Sequence, residues 1–201
     1  MSKQVEYFLA PPSPFVYLGH ARFVEIANRH KAQVLLKPCD IGKVFAVSGG
    51  LPLAQRPPQR QAYRLVELER WSKFLGIPLN LHPTFFPVSG DAAARLIIAA
   101  QLANGTARAL ELTGAISRAV WADQRNIADA ATLSLIAEEC GLDGASLLKA
   151  SEGQAVQAAY AQNTQDAISA NVFGAPWFVH DGQPYWGQDR LDFLDRALAA
   201  G

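Results

Sequence analysis

An α/β fold is predicted for this chain, with one sheet of βαβ…ββα order and a large all-helical domain inserted in its middle. Three observations predict it. A strand–helix–strand run opens the chain, a hairpin and a helix close it, and over a hundred residues between them place apolar side chains at helical spacing.

The opening strand is Gln4 to Leu9, which gives way through Pro11-Pro12 to Ser13-Pro14. A helix over Phe15 to Arg29 follows, with Leu18, Ala21, Phe23, Val24 and Ile26 apolar, and then a strand over Val34 to Leu36 ending at Pro38. The two strands form a parallel pair. From Asp40 to Pro58 the chain is rich in Gly and Pro (Ser48-Gly49-Gly50, Leu51-Pro52, Pro57-Pro58), which reads as a long loop walling a site.

Helical spacing runs from Gln59 to about Asn171. Leu65, Leu68, Trp71 and Leu75 share one stripe, and Ala92 to Leu102 is apolar almost all round, so that helix is expected to be central and buried. Thr106 is placed to cap the next helix, Gly141 to stop a later one, and Ser151 with Gln154 to form a capping box for the helix towards Ala170. Strand character returns at Pro176 to His180 and at Tyr185-Trp186, joined through Asp181-Gly182. A last helix is expected from Asp189 with Leu191, Phe193, Leu194 and Leu198. The resulting plan is thioredoxin-like, with residues 1–39 and 172–201 forming the sheet domain and residues 40–171 an inserted loop and helical domain.

At 201 residues and 50% hydrophobic content the chain can bury a sizeable core. Lysine plus arginine equals aspartate plus glutamate at 18 each, without a basic run, so a small molecule is a better partner than nucleic acid or an anionic membrane. No charged-then-apolar leader and no long apolar stretch appear, and a cytoplasmic protein is expected. Cys39 and Cys140 fit no metal or redox spacing and read as reduced, buried thiols. His20, His30, His82 and His180 lack ligand spacing, so no metal site is expected. Ser146-x-x-Lys149 lacks the companion motifs of penicillin-recognising enzymes, and Ser48-Gly49-Gly50 lacks the lysine of a phosphate loop.

Chemistry concentrates in three segments that such a sheet brings to one end. Ser13 stands at a strand-to-helix corner, where helix N–H groups favour an anion such as a thiolate. The chain puts no cysteine there, so thiol chemistry at this corner needs a sulfur from outside. Val172 to Pro176 opens the hairpin, and Trp186-Gly187-Gln188-Asp189-Arg190 turns into the last helix, with N–H groups for a carboxylate and Asp189 for an amino group. Together these suit a γ-glutamyl peptide such as glutathione, with its thiol at Ser13 and its backbone at Ala175.

Tyr7-Phe8 leading into Ser13-Pro14-Phe15, the Leu51 to Pro58 loop, Tyr63, Arg70-Trp71 with Gly76-Ile77-Pro78, and the two C-terminal segments resemble the 2-hydroxychromene-2-carboxylate isomerase family. That family is related to kappa-class glutathione transferases and DsbA-like oxidoreductases. The resemblance implies a cis proline at position 176 and a glutathione-dependent cis–trans isomerisation in aromatic hydrocarbon catabolism, through a thiolate adduct that yields trans-o-hydroxybenzylidenepyruvate. It implies that Ser13 holds the glutathione sulfur, that Ala175 pairs with the cysteinyl backbone, and that Trp186, Gly187, Gln188 and Asp189 surround the γ-glutamyl end. It also implies a homodimer.

The acceptor, an aromatic carboxylate, wants a basic or amide group and aromatic walls. Lys43, Gln55 and Arg56 are candidates for the first, and Phe15, Phe85, Phe86 and Trp177 for the second. Val16, Ala54-Gln55 and Trp177 depart from the family pattern and leave the acceptor open. A kappa-like transferase or peroxidase using another electrophile, and a non-catalytic glutathione-binding protein, are the alternatives.

Overall fold

The computed structural model describes residues 3–200. Four strands form one mixed sheet: β1 (Gln4–Leu9), β2 (Gln33–Pro38), β3 (Trp177–His180) and β4 (Gln183–Trp186), in the order β2-β1-β3-β4. β1 pairs parallel with β2, Gln4 opposite Gln33 and Leu9 opposite Pro38. It pairs antiparallel with β3, placing Phe8 opposite Trp177, and β3 pairs antiparallel with β4. The β3–β4 turn has positive φ at both Asp181 (48°) and Gly182 (73°), the two-residue geometry whose twist matches the flanking strands.

Alternation along β1 covers both faces of the sheet. Val5, Tyr7 and Leu9 enter the main core, while Phe8 enters a second cluster with Cys39, Val44, Ala167, Val172 and Trp177. On the main side Tyr7 meets Phe23 and Phe178 with ring centroids 4.6 and 4.9 Å apart. The helix between the parallel strands is α1 (Pro14–Arg29). The interior block contains α2 (Ile41–Ser48), α3 (Pro58–Leu75), α4 (Asp91–Asn104), α5 (Thr106–Trp121), α6 (Ala130–Glu139), α7 (Gly144–Ser151) and α8 (Gln154–Ser169), and α9 (Leu191–Ala200) closes the chain. The main cluster runs unbroken from the sheet through Leu96, Leu112 and Trp121, so sheet and helical block share one core.

Several expected boundaries move. The stretch from Asp40 to Pro58 is not one loop: Asp40 caps α2 by accepting the N–H groups of Gly42 (3.0 Å) and Lys43 (3.1 Å), Gly49 ends it at φ 75°, and Leu53–Gln55 form a 3₁₀ turn. Thr106 is the first residue of α5 and does not cap it; the preceding Gly105 stands at the cap with φ 86°. Ser151 ends α7 with its hydroxyl on Leu148 O (2.7 Å), and Gly153 precedes α8, so the Ser151–Gln154 capping box does not form. The last helix begins with a 3₁₀ turn, Gln188–Arg190, before α9. α4 is buried from Ala93 to Ala100 except at Arg95, close to what was expected, but Leu102 is 62% exposed. No described helix is long and apolar enough to cross a membrane.

Candidate active site

The site lies where β1 hands over to α1. Ser13 is the N-cap of α1, extended at φ −72° and ψ 126°, with Pro14 in the first turn. Its Oγ accepts Val16 N–H at 3.4 Å and donates to the Ala175 carbonyl at 3.2 Å. One hydroxyl thus joins the first segment to the second. The Ala175–Pro176 peptide bond is cis, and among the described residues Ala175 N–H donates to no other backbone group.

The third segment is locked onto the second. Gly187 N–H donates to Pro176 O at 2.9 Å, and Gly187 has φ 97°, a value a side chain would strain. The Trp186 indole closes over Gly174 so tightly that a Cβ there would lie 2.5 Å from Nε1. A Cβ at Gly19 would come within 2.6 Å of Gln188 Cβ, so the bare glycine lets α1 seat directly on the last turn. The Gln188 side chain is 1% exposed and its Oε1 is buried without a protein partner. No side chain caps the 3₁₀ turn, which leaves the Gln188 and Asp189 N–H groups at its open end. Asp189 is 40% exposed at its side chain and pairs with Arg190 at 2.7 Å.

The Pro11-Pro12 turn that presents Ser13 is held from the helical block. Ser117 Oγ donates to Pro11 O at 3.4 Å and Trp121 Nε1 to Pro12 O at 3.2 Å. Gly90 packs against the Pro12 ring, where a Cβ would meet Cδ at 2.6 Å.

The structure brings Ser13, Ala175, Trp186, Gly187, Gln188 and Asp189 into one hydrogen-bonded and packed group. The acceptor-side residues are placed differently. Lys43 pairs with Asp40 at 3.6 Å on the exposed side of α2, and Gln55 and Phe85 are exposed, with no side-chain hydrogen bond to the Ser13 corner. Arg56 is half-buried, its Nε on Leu51 O at 2.8 Å and its guanidinium 5.9 Å from the Phe45 ring. Trp177 lies in the second cluster at 4% exposure, and Phe15 packs on the main core. Phe86 alone of these aromatics lines a cavity of about 290 Å³, together with Gln61, Arg64, Leu65, Leu81 and His82. Arg64 was missed in the sequence; its only signal there is the four-residue spacing from Arg56 and Arg60.

Neither cysteine supplies a thiol at this corner. Cys39 is buried, hydrogen-bonds to Leu9 O at 3.6 Å, and burial pushes its thiol up to about 12. Cys140 is half-buried and also raised, chiefly by desolvation. His20 is buried between Tyr7 OH (3.2 Å) and Leu110 O (2.9 Å), and burial lowers it to about 4, so it is neutral structural filling.

Comparison with known proteins identifies the family of this fold. A family model described as a DSBA-like thioredoxin domain matches residues 4–199. A 2-hydroxychromene-2-carboxylate isomerase from Sphingobium xenophagum is 29% identical over 199 residues, spanning 98% of this chain and 99% of the relative. Glutathione s-transferase kappa 2 from Caenorhabditis elegans is 26% identical over 213 residues, spanning 96% and 92%. Among solved structures, a 2-hydroxychromene-2-carboxylate isomerase superposes with a TM-score of 0.77 at 24% identity over 98% of this chain and 95% of that one. The cytosolic disulfide reductase DsbM from Pseudomonas aeruginosa with GSH superposes at 0.68 with 18% identity over 98% and 99%. The chain belongs to the DSBA-like thioredoxin domain family, and within it is similar to the 2-hydroxychromene-2-carboxylate isomerases and the kappa-class glutathione transferases.

Proposed function

We propose that this chain is a glutathione-dependent isomerase that converts 2-hydroxychromene-2-carboxylate, or a closely related aromatic intermediate, to trans-o-hydroxybenzylidenepyruvate. The observation that carries the reading is Ser13: a hydroxyl at the N-cap of a 16-residue helix, bonded to the carbonyl of Ala175, at a corner that holds no cysteine of this chain. The names of the similar isomerases support an enzyme of this kind, and the kappa-class relative and the glutathione-bound neighbour support the thiol.

The residues present fit glutathione. Ala175 offers a free N–H and a carbonyl to an extended peptide backbone, and the open N–H groups of Gln188 and Asp189 suit a carboxylate. The Asp189 carboxylate, shared with Arg190, suits an ammonium. Bound glutathione supplies a thiolate that adds reversibly to a conjugated acceptor and leaves again after bond rotation.

This chain's part is to keep that sulfur ionised. A free thiol near pKa 8.5 is only a few per cent thiolate at neutral pH. A hydroxyl donated to a charged acceptor contributes about 1.5–3 kcal/mol, or roughly one to two pKa units, and the N-terminus of α1 adds in the same direction. A peptide backbone that pairs with Ala175 takes over the carbonyl now bonded to Ser13, and so frees the hydroxyl to turn to the sulfur. Ser13 is therefore a thiolate stabiliser and forms no covalent bond. Cys39 and Cys140 stay outside the reaction, and the cytoplasmic, homodimeric state expected from the sequence resemblance is part of the same proposal.

Ser13→Ala tests the reading. Turnover of the chromene acid at saturating glutathione is expected to fall tenfold or more, while calorimetry finds glutathione affinity within about threefold of wild type. Wild-type turnover in the variant would sink the assigned role. The kappa-class relative favours one second reading, transfer of glutathione to another electrophile; faster reaction with a chloronitroaromatic than with the chromene acid would select it.

A further inference from the structure

A group of arginines outside the glutathione residues has no assigned task. Arg60 and Arg64 lie four residues apart in the first turns of α3 and share one face of it, and Arg56 stands just before the helix begins. Arginines elsewhere, at positions 22, 29, 70, 95, 108, 118, 125 and 190, each hold a carboxylate. Among the described residues these three, and Arg196 of α9, hold none.

Arg64 is the deepest of them. Its guanidinium lies 5.2 Å from the Phe86 ring centroid and 5.5 Å from that of Trp121, and its Nη2 is buried without a protein hydrogen-bond partner. Burial and the neighbouring Arg56 lower it to about 10. A half-buried charge without a counterion loses part of its hydration uncompensated, and an anion beside it would restore the balance. Beside it is the cavity of about 290 Å³, whose walls of Leu65, Leu81 and Phe86 are apolar. That volume is at the small end of ligand pockets and suits a one- or two-ring molecule. A guanidinium fork at one end and ring faces along the side select a planar acid.

One side chain connects the cavity wall to the turn that presents Ser13. Trp121, fully buried behind the cavity, packs its ring at 4.7 Å on Phe86, which lines the cavity, and holds Pro12 O with its Nε1 at 3.2 Å.

We propose that Arg64 is the carboxylate anchor of the acceptor, holding an aromatic acid with its ring against Phe86 in this cavity. The proposal rests on the glutathione-dependent reading for the identity of the second reactant, whereas the binding itself needs no glutathione. It replaces Lys43, Gln55 and Phe85 as the acceptor contacts and keeps Arg56 as a flanking positive charge.

Calorimetric titration of the full chain with salicylate, and with neutral salicylamide as its control, tests the site. Wild type is expected to bind salicylate at least tenfold more tightly than salicylamide, and Arg64→Gln to lose that preference. Arg64→Lys, which keeps the charge but not the fork, is expected to fall between the two, with glutathione affinity within threefold of wild type in both variants. Equal binding of acid and amide by wild type, or an undiminished preference in Arg64→Gln, overturns the proposal. A tenfold loss of glutathione affinity in Arg64→Gln without a change in salicylate binding also overturns it, since the guanidinium then serves a carboxylate of the tripeptide. Arg64-dependent salicylate binding in a protein that fails to bind glutathione leaves this site standing and removes the glutathione reading instead.

Discussion

Ser13 performs two tasks with one oxygen, and they separate energetically. As N-cap it accepts Val16 N–H, and as donor it ties α1 to Ala175. Loss of a serine cap costs about 1 kcal/mol, which for a chain of this size lowers the melting temperature by roughly 2–4 °C. Ser13→Ala is therefore expected to remain folded and melt a few degrees low in a thermal scan while its turnover collapses; a drop above about 10 °C would make the activity loss a folding defect. Ser13 was legible in the sequence because a serine followed by proline after an apolar strand announces a cap without any partner. Arg64 was not, because whether an arginine is solvated or buried depends on Phe86 and Trp121, residues 22 and 57 positions away.

Among elements, the meeting of α1 with the Gln188–Arg190 turn decides whether the third segment reaches the site. Gly19 makes that approach possible. Gly19→Ala is expected to destabilise by about 1–3 kcal/mol, as overpacked contacts do, and to weaken glutathione binding by moving the Gln188 and Asp189 N–H groups. Calorimetry with glutathione checks it, and unchanged affinity would detach this turn from the site. Strands and caps of local origin were legible: β1 was expected at its observed bounds, and Asp181-Gly182 made the hairpin turn. α2 was not, because Gly and Pro around it read as loop, although Asp40 and Gly49 were already its two caps. Ser151-x-x-Gln154 misled in the opposite direction, since packing carried α7 through Ser151.

At the scale of the molecule, one core unites the sheet and the helical block, and His20 is a polar residue at their junction, bonded to Tyr7 of β1 and Leu110 of α5. Burial lowers its pKa from 6.5 to about 4. Between these values the unfolded chain binds a proton that the folded one refuses, so stability falls as pH drops through this window. The loss approaches about 3 kcal/mol at the lower end and about 2 kcal/mol at pH 5, a melting-temperature decrease of roughly 4–8 °C from neutral pH. His20→Gln, which can still donate to Leu110 O, is expected to flatten that decrease; an equally steep profile would assign it to other groups. The depressed carboxylates Asp166 and Asp195 titrate below this window, so they do not imitate it.

The sequence by itself determined the strand and helix order, the hairpin and the Ser13 cap, because each depends on residues adjacent in the chain: an apolar period, a turn pair, a hydroxyl before a proline. Only the tertiary structure decided that Ala175 meets Ser13 and the Gly187 turn bonds Pro176, that Gly19 admits Gln188, and that Arg64 is half-buried without a carboxylate. Those facts are distances and burials between segments remote in sequence, and packing across the shared core sets them.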